Sequence, residues 1–183
     1  MSVDLKDAVE LMQSELRANP DKAVATFVAD SHQVQGLQSE TKIRNFTLTI
    51  DEPQSLGGTD TGPNPVELIL GALASCQEIT YRAFAEAMEI PLDSVSVRIE
   101  GDLDLRGFFA VNDNVRAGFQ EIRGTVELDS TANAKDLARL KKMVDAHCPV
   151  LDILQAPVPV SLAINHQTRT ATDVSAQTFA HAL

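Results

Sequence analysis

The chain has 183 residues, 44% hydrophobic and 22% charged, which suits one globular domain with a real core. A formal net charge of −11 repels phosphate backbones and anionic membranes, and 4% aromatics with no Trp leave little to stack on bases or sugars. No nucleic-acid partner is therefore expected. No membrane association is expected either: the N-terminus lacks a basic segment leading into an apolar one, and no run of about 18 apolar residues is present to span a bilayer. A cytoplasmic location follows as an expectation.

Residues 3–18 have the period of an amphipathic helix, with Leu5, Ala8, Val9, Met12 and Leu16 on one face. "NPD" at 19–21 ends it. Three β-prone stretches follow at 22–30, 33–37 and 43–51, and together they predict a small antiparallel meander. A loop rich in Gly, Pro, Thr and Asp covers 52–65 and leads into a well-marked helix start. Pro65 suits the first helical position, and Asn64 before it suits the N-cap. That helix is expected to reach about Met88.

Alternating apolar residues predict strands at 94–105 and 118–129, the second kinked at Gly124, with a long loop between them. Residues 133–147 form an amphipathic helix whose stripe, Leu137, Leu140 and Val144, continues to Cys148 and Leu151. Pro149 breaks it, a short helical turn "PVLDIL" follows, and 158–166 reads as a last strand. The order α, βββ, α, ββ, α, β segregates helices from runs of strands and argues an α+β fold with a mostly antiparallel sheet. The chain divides into a helical extension at 1–20, one domain at 21–166 and a polar, alanine-rich tail at 167–183.

The helix from Asn64 is apolar on nearly every side, so it is expected to be buried all round, inside the fold or between two subunits. It carries Cys76 three turns in, beyond the influence of its own dipole. Burial by itself raises a thiol pKa, so a reactive Cys76 needs a cation brought from elsewhere. Arg44, Arg82, Arg98, Arg106, Arg116 and Arg123 are the candidates. Cys148 precedes Pro149 at the start of the short helix, where unpaired N–H groups favour a thiolate. For either cysteine alone, a small buried core residue is the better account.

The run "DEPQSLGGTDTGPNPVELILGALASC", followed some 70 residues later by "HCPVLDIL", resembles the OsmC/Ohr family of osmotically induced and organic hydroperoxide resistance proteins. The similarity spans about Lys22 to Asn165. It implies an intertwined homodimer with an antiparallel six-stranded sheet and two central helices. It also implies a two-cysteine peroxidase without cofactor or metal. In that chemistry Cys76 takes an oxygen from an organic hydroperoxide to become a sulfenic acid, and Cys148 resolves it to a disulfide. An external dithiol of lipoyl type then restores both thiols.

The family activates the first cysteine with an arginine paired to a glutamate. The region just after the first strand, "ADSHQVQGLQ", holds no arginine, which leaves Arg44 as the nearest substitute. Glu67 fits the carboxylate by position. It also stands at capping-box spacing from Asn64, and nine residues along a straight helix put it on the opposite side from Cys76. The missing arginine keeps open an alternative: a family member with little peroxidase activity that binds a small molecule or a thiol. A metal site from Cys76, His147 and Cys148, and a cysteine hydrolase using His147 as base, are further alternatives.

Overall fold

The computed structural model describes residues 5–156 and 158–166, so the tail from Gln167 lies outside the described residues. Its helices are α1 (Leu5–Ala18), α2 (Pro65–Ala87), α3 (Leu105–Phe108), α4 (Ala134–His147) and α5 (Pro149–Gln155). Its strands are β1 (Asp30–Gln35), β2 (Gln38–Ile43), β3 (Phe46–Ile50), β4 (Ser94–Leu103) and β5 (Phe119–Asp129). The α+β class stands, but the six-stranded sheet does not. An antiparallel three-stranded sheet β1-β2-β3 and an antiparallel pair β4-β5 are present instead.

Strand pairing explains the difference. Residues 158–166 alternate as a strand should, yet they join no ladder, and Leu162 and Ile164 are 92% and 95% exposed. Alternation proposes a strand, and a neighbour with free N–H and C=O groups makes one. The meander exists but is displaced. β1 starts at Asp30 rather than 22, because the first cross-strand partner is Asp30 with Lys42. "QVQGL" contributes the end of β1 and its turn, with Gly36 in the left-handed region at φ +53°. β2, "QSETKI", is too polar to show a period. The loop before β5 contains the short α3. Gly124 sits in register opposite Ile99, and the ladder shifts instead between Asp102 and Leu103, opposite 119–121.

The core lies along the C-terminal half of α2. Tyr81, Ala85, Ile90, Leu92, Leu140 and Val144 are its buried members, and Val95, Val126 and Leu137 pack against them. α2 packs on β4, α4, α1 and α5. Its buried positions Leu73, Gln77, Thr80, Tyr81 and Ala85 recur at helical spacing along one side. The other side is open, with Ala72 and Ser75 exposed and Ile79 70% exposed. The expectation of burial all round therefore fails within one chain, which offers elements enough to cover only one face. Gly101 makes the packing close: a Cβ there would sit 2.7 Å from Phe119 and 3.2 Å from Leu70 of α2.

The loop into α2 is organised by Asp51, a residue the sequence did not single out. Its buried carboxylate accepts from the backbone N–H of Glu52 (2.8 Å), Thr59 (3.0 Å) and Thr61 (3.2 Å), and from the hydroxyls of Thr59 (2.6 Å) and Thr61 (3.0 Å). These bonds, led by the Thr59 hydroxyl, hold the carboxyl well below the usual carboxylate range. A folded pKa below the unfolded one gives stability that is complete above about pH 4, where the unfolded group is ionised, and is lost as pH falls. Urea midpoints measured from pH 7 down to pH 2 are expected to fall more steeply for the wild type than for Asp51→Asn. The variant is expected to be the less stable of the two at pH 7.

Candidate functional site

α2 starts where its sequence says it should. The Asn64 side chain accepts from Glu67 N at 2.9 Å, and Glu67 Oε2 accepts from Asn64 N at 2.8 Å, a complete capping box. Three turns on, Cys76 stands at the edge of the buried face, half-buried. α4 ends at His147, and Cys148 takes an extended conformation (φ −78°, ψ 111°) between α4 and α5. Its amide closes α4 on Val144 O at 2.9 Å, and its carbonyl accepts from Asp152 N at 3.0 Å. Cys148 is thus the cap residue of α5 by position, but its side chain makes no capping bond. The side chain is 1% exposed, and its Sγ lies 3.2 Å from Sγ of Cys76. Two cysteines 72 positions apart are brought into direct contact with both thiols free.

Cys76 opens onto a groove of about 540 Å³ lined by Ala72, Ser75, Ile79, Thr80, Phe84 and His147, among others. The His147 ring rests against Phe84, centroids 5.5 Å apart. A larger cleft of about 690 Å³ lies on another side of α2 and is lined by Gln77 and Arg116 but by neither cysteine. The Gln77 amide nitrogen has no hydrogen-bond partner among the described residues. Among the described residues, no three His, Cys, Asp or Glu side chains converge as metal ligands. No described helix is long and apolar enough to cross a membrane.

Burial is the largest influence on the Cys76 thiol and pushes it up, and the adjacent Cys148 sulfur acts the same way. The backbone N–H of Val150, in the first turn of α5, and the Thr80 hydroxyl pull it down without reversing the balance. None of these groups is a cation. Four of the candidate arginines are engaged elsewhere, and Arg116 lines the other cleft. Arg82 donates to Leu92 O and Asp93 O, Arg98 pairs with Glu100, Arg106 with Asp104, and Arg123 with Asp102 and Glu100. Arg44 sits in the β2–β3 turn at φ +56°, not on a strand, with its guanidinium 5.2 Å from the centre of the Phe46 ring. Phe108 and Phe109 meet edge to face at 4.9 Å and stay largely exposed, so they neither fill the core nor wall this groove. The structure therefore brings Cys76 and Cys148 together and places Glu67 and Arg44 in local roles. The two donors to Cys76, Val150 and Thr80, were not foreseen. "CPV" signals a helix N-terminus, but not whose thiol it faces.

A family model described as OsmC-like protein matches residues 58–163, more than half of the chain. The chain belongs to the OsmC-like protein family. A Bacillus subtilis (strain 168) relative, the uncharacterized protein YmaD, is 27% identical over 122 residues, covering 64% of this chain and 77% of that protein. An OsmC-like protein from Mycoplasma pneumoniae superposes with a TM-score of 0.64 at 20% identity, over 73% of this chain and 89% of that one. An organic hydroperoxide resistance protein OsmC from Legionella pneumophila does so at 0.54 and 24% identity, over 73% and 92%. These structural likenesses establish the OsmC-like fold.

With Glu67 in a complete capping box, Glu67→Ala is expected to lower unfolding free energy by about 1 kcal/mol in urea denaturation. Iodoacetamide alkylation of Cys76 is expected to stay at the wild-type rate. Slower alkylation with unchanged stability would assign Glu67 to the thiol instead of the cap.

Proposed function

We propose that this OsmC-like protein reduces organic hydroperoxides through its two cysteines. The observation that carries this reading is the 3.2 Å separation of the Cys76 and Cys148 sulfurs at the floor of an open groove. A disulfide bond is about 2.05 Å long, so a small side-chain movement closes it. The Cys76 thiolate attacks the terminal oxygen of ROOH. The O–O bond breaks, its electron pair leaves with RO⁻, which takes a proton to become the alcohol, and Cys76 becomes a sulfenic acid. The Cys148 thiolate then attacks the Cys76 sulfur, an S–S bond forms, and hydroxide leaves as water after protonation. An external dithiol, of lipoyl type by family resemblance, returns both thiols and is itself oxidised to a disulfide.

The positions of the two thiols support this assignment. Cys76 borders the groove and can meet a substrate, while Cys148 is buried behind it and can meet only Cys76. The groove walls Ala72, Ile79 and Phe84 suit an organic substituent better than hydrogen peroxide. The name of the Legionella pneumophila relative points to the same substrate class. A second reading, a thiol-binding or small-molecule-binding protein with slow peroxidase chemistry, is favoured by one observation: Cys76 is pushed up, with no cation among the groups acting on it.

We propose a homodimer as the working form. Ile79 on α2, Phe46 and Leu48 on β3, and Val24 and Phe27 before β1 are large apolar side chains left exposed in one chain. Light scattering is expected to give twice the chain mass, and a monomer would contradict this.

The two functional readings separate on thiol counting. Stoichiometric cumene hydroperoxide is expected to remove both free thiols of the wild type with release of the alcohol. Cys76→Ser is expected to keep its remaining thiol, and Cys148→Ser to oxidise at Cys76 without forming an intramolecular disulfide. Wild-type thiols that survive the hydroperoxide would sink the peroxidase reading.

A further inference from the structure

Breaking the O–O bond of a hydroperoxide releases an alkoxide, which leaves readily only as it gains a proton. The groove beside Cys76 holds side chains that carry a transferable proton: Ser75, Thr80 and His147. The Ser75 hydroxyl donates to Gly71 O at 2.9 Å, and the Thr80 hydroxyl to Cys76 O at 2.6 Å, so both serve the backbone of α2. Hydroxyls are also weak acids. Imidazole is the side chain that gives up and recovers a proton near neutral pH.

His147 stands where such a donor is needed. It is the last residue of α4 and the neighbour of Cys148, whose sulfur meets that of Cys76 at 3.2 Å. Its ring rests on Phe84 of α2, with centroids 5.5 Å apart and the planes tilted by 39°. Phe84 lies about two turns past Cys76 and lines the same groove. Helical side chains lean back toward the helix N-terminus, which carries the Phe84 ring, and the imidazole against it, toward the turn of Cys76. The Phe84 contact thus sets the imidazole at the rim of the groove. His147 is exposed there, so water can return a proton that the ring has given away.

We infer that His147 is the general acid of the hydroperoxide reduction, giving its ring proton to the alkoxide oxygen as the O–O bond breaks. The Cys76 sulfur bonds to the terminal oxygen, which keeps its hydrogen as the sulfenic acid. The electron pair of the O–O bond goes to the inner oxygen. The imidazolium N–H protonates that oxygen, and the alcohol leaves uncharged. Cys76 is oxidised by two electrons and the peroxide is reduced by two. The neutral imidazole then recovers a proton from water, which balances the one Cys76 released on ionising. The inference rests on the proposed function, and it adds the source of the leaving group's proton.

The test compares two oxidants that differ in their leaving group. Cumene hydroperoxide releases an alkoxide, whereas peracetic acid releases acetate, which is stable without a proton. Second-order rate constants for the loss of free thiols are measured at pH 7 in the fully reduced, full-length protein, for the wild type, His147→Phe and His147→Gln. His147→Phe keeps a ring against Phe84, and His147→Gln keeps a polar group at the rim, but neither side chain is an acid. Both variants are expected to slow the reaction with cumene hydroperoxide about 100-fold more than the reaction with peracetic acid. If one variant fails to fold, the other is read in the same way. A packing or access defect would slow both oxidants by the same factor, and that outcome overturns the inference, as does no slowing at all. Wild-type thiols that react with peracetic acid but survive cumene hydroperoxide sink the peroxidase reading and His147 with it. Wild-type thiols that react with both, at a ratio unchanged in the variants, sink the role of His147 alone.

Discussion

The contact between the sulfurs of Cys76 and Cys148 sets how α2, α4 and α5 must meet. Cys148 is held from both sides, by its amide on Val144 and by its carbonyl on Asp152. Pro149 cannot continue α4, and it starts α5 at the one position where its missing N–H costs nothing. The extended backbone at Cys148 therefore forms the corner between two helices. Leu140 and Val144, fully buried against α2, fix the distance from which that corner presents its sulfur. The core and the thiol pair are one construction. A large-to-small change at Leu140 or Val144 would loosen the core and the thiol contact together.

The same construction explains why Cys76 is both shielded and held back. The packing that brings Cys148 to it removes water from its sulfur, and desolvation disfavours the charged form. Against that stand a backbone N–H and a hydroxyl, both neutral, in place of a full charge. Within one chain, burial therefore outweighs the short-range hydrogen bonds that act on this thiol. Arg98 and Arg123 pair with carboxylates on β4, and Arg106 with Asp104 just before α3, while no described arginine lines the groove.

The parts of the fold fixed by local chemistry were legible from the residues. Asn64, Pro65 and Glu67 announced the start of α2, and the stripe Leu137, Leu140 and Val144 announced the buried face of α4. Cys148 before Pro149 announced the corner. The parts fixed by distant partners were not legible. β2 has no hydrophobic period because it is held by ladders to β1 and β3, and 158–166 has a period but no ladder. Asp51 gathers five donors from 52–61 only after the loop has folded back on it. The bond from the Thr80 hydroxyl to the Cys76 carbonyl is simple i, i+4 spacing.

The central claim is that these two thiols are a redox pair within one chain. Its most direct measurement is the mass of the protein, and of its non-reduced peptides, after limiting organic hydroperoxide. The account predicts a single chain lighter by two hydrogens and one cross-linked peptide joining Cys76 to Cys148. A disulfide between two chains, or Cys76 carried on to sulfinic acid while Cys148 stays reduced, would contradict it.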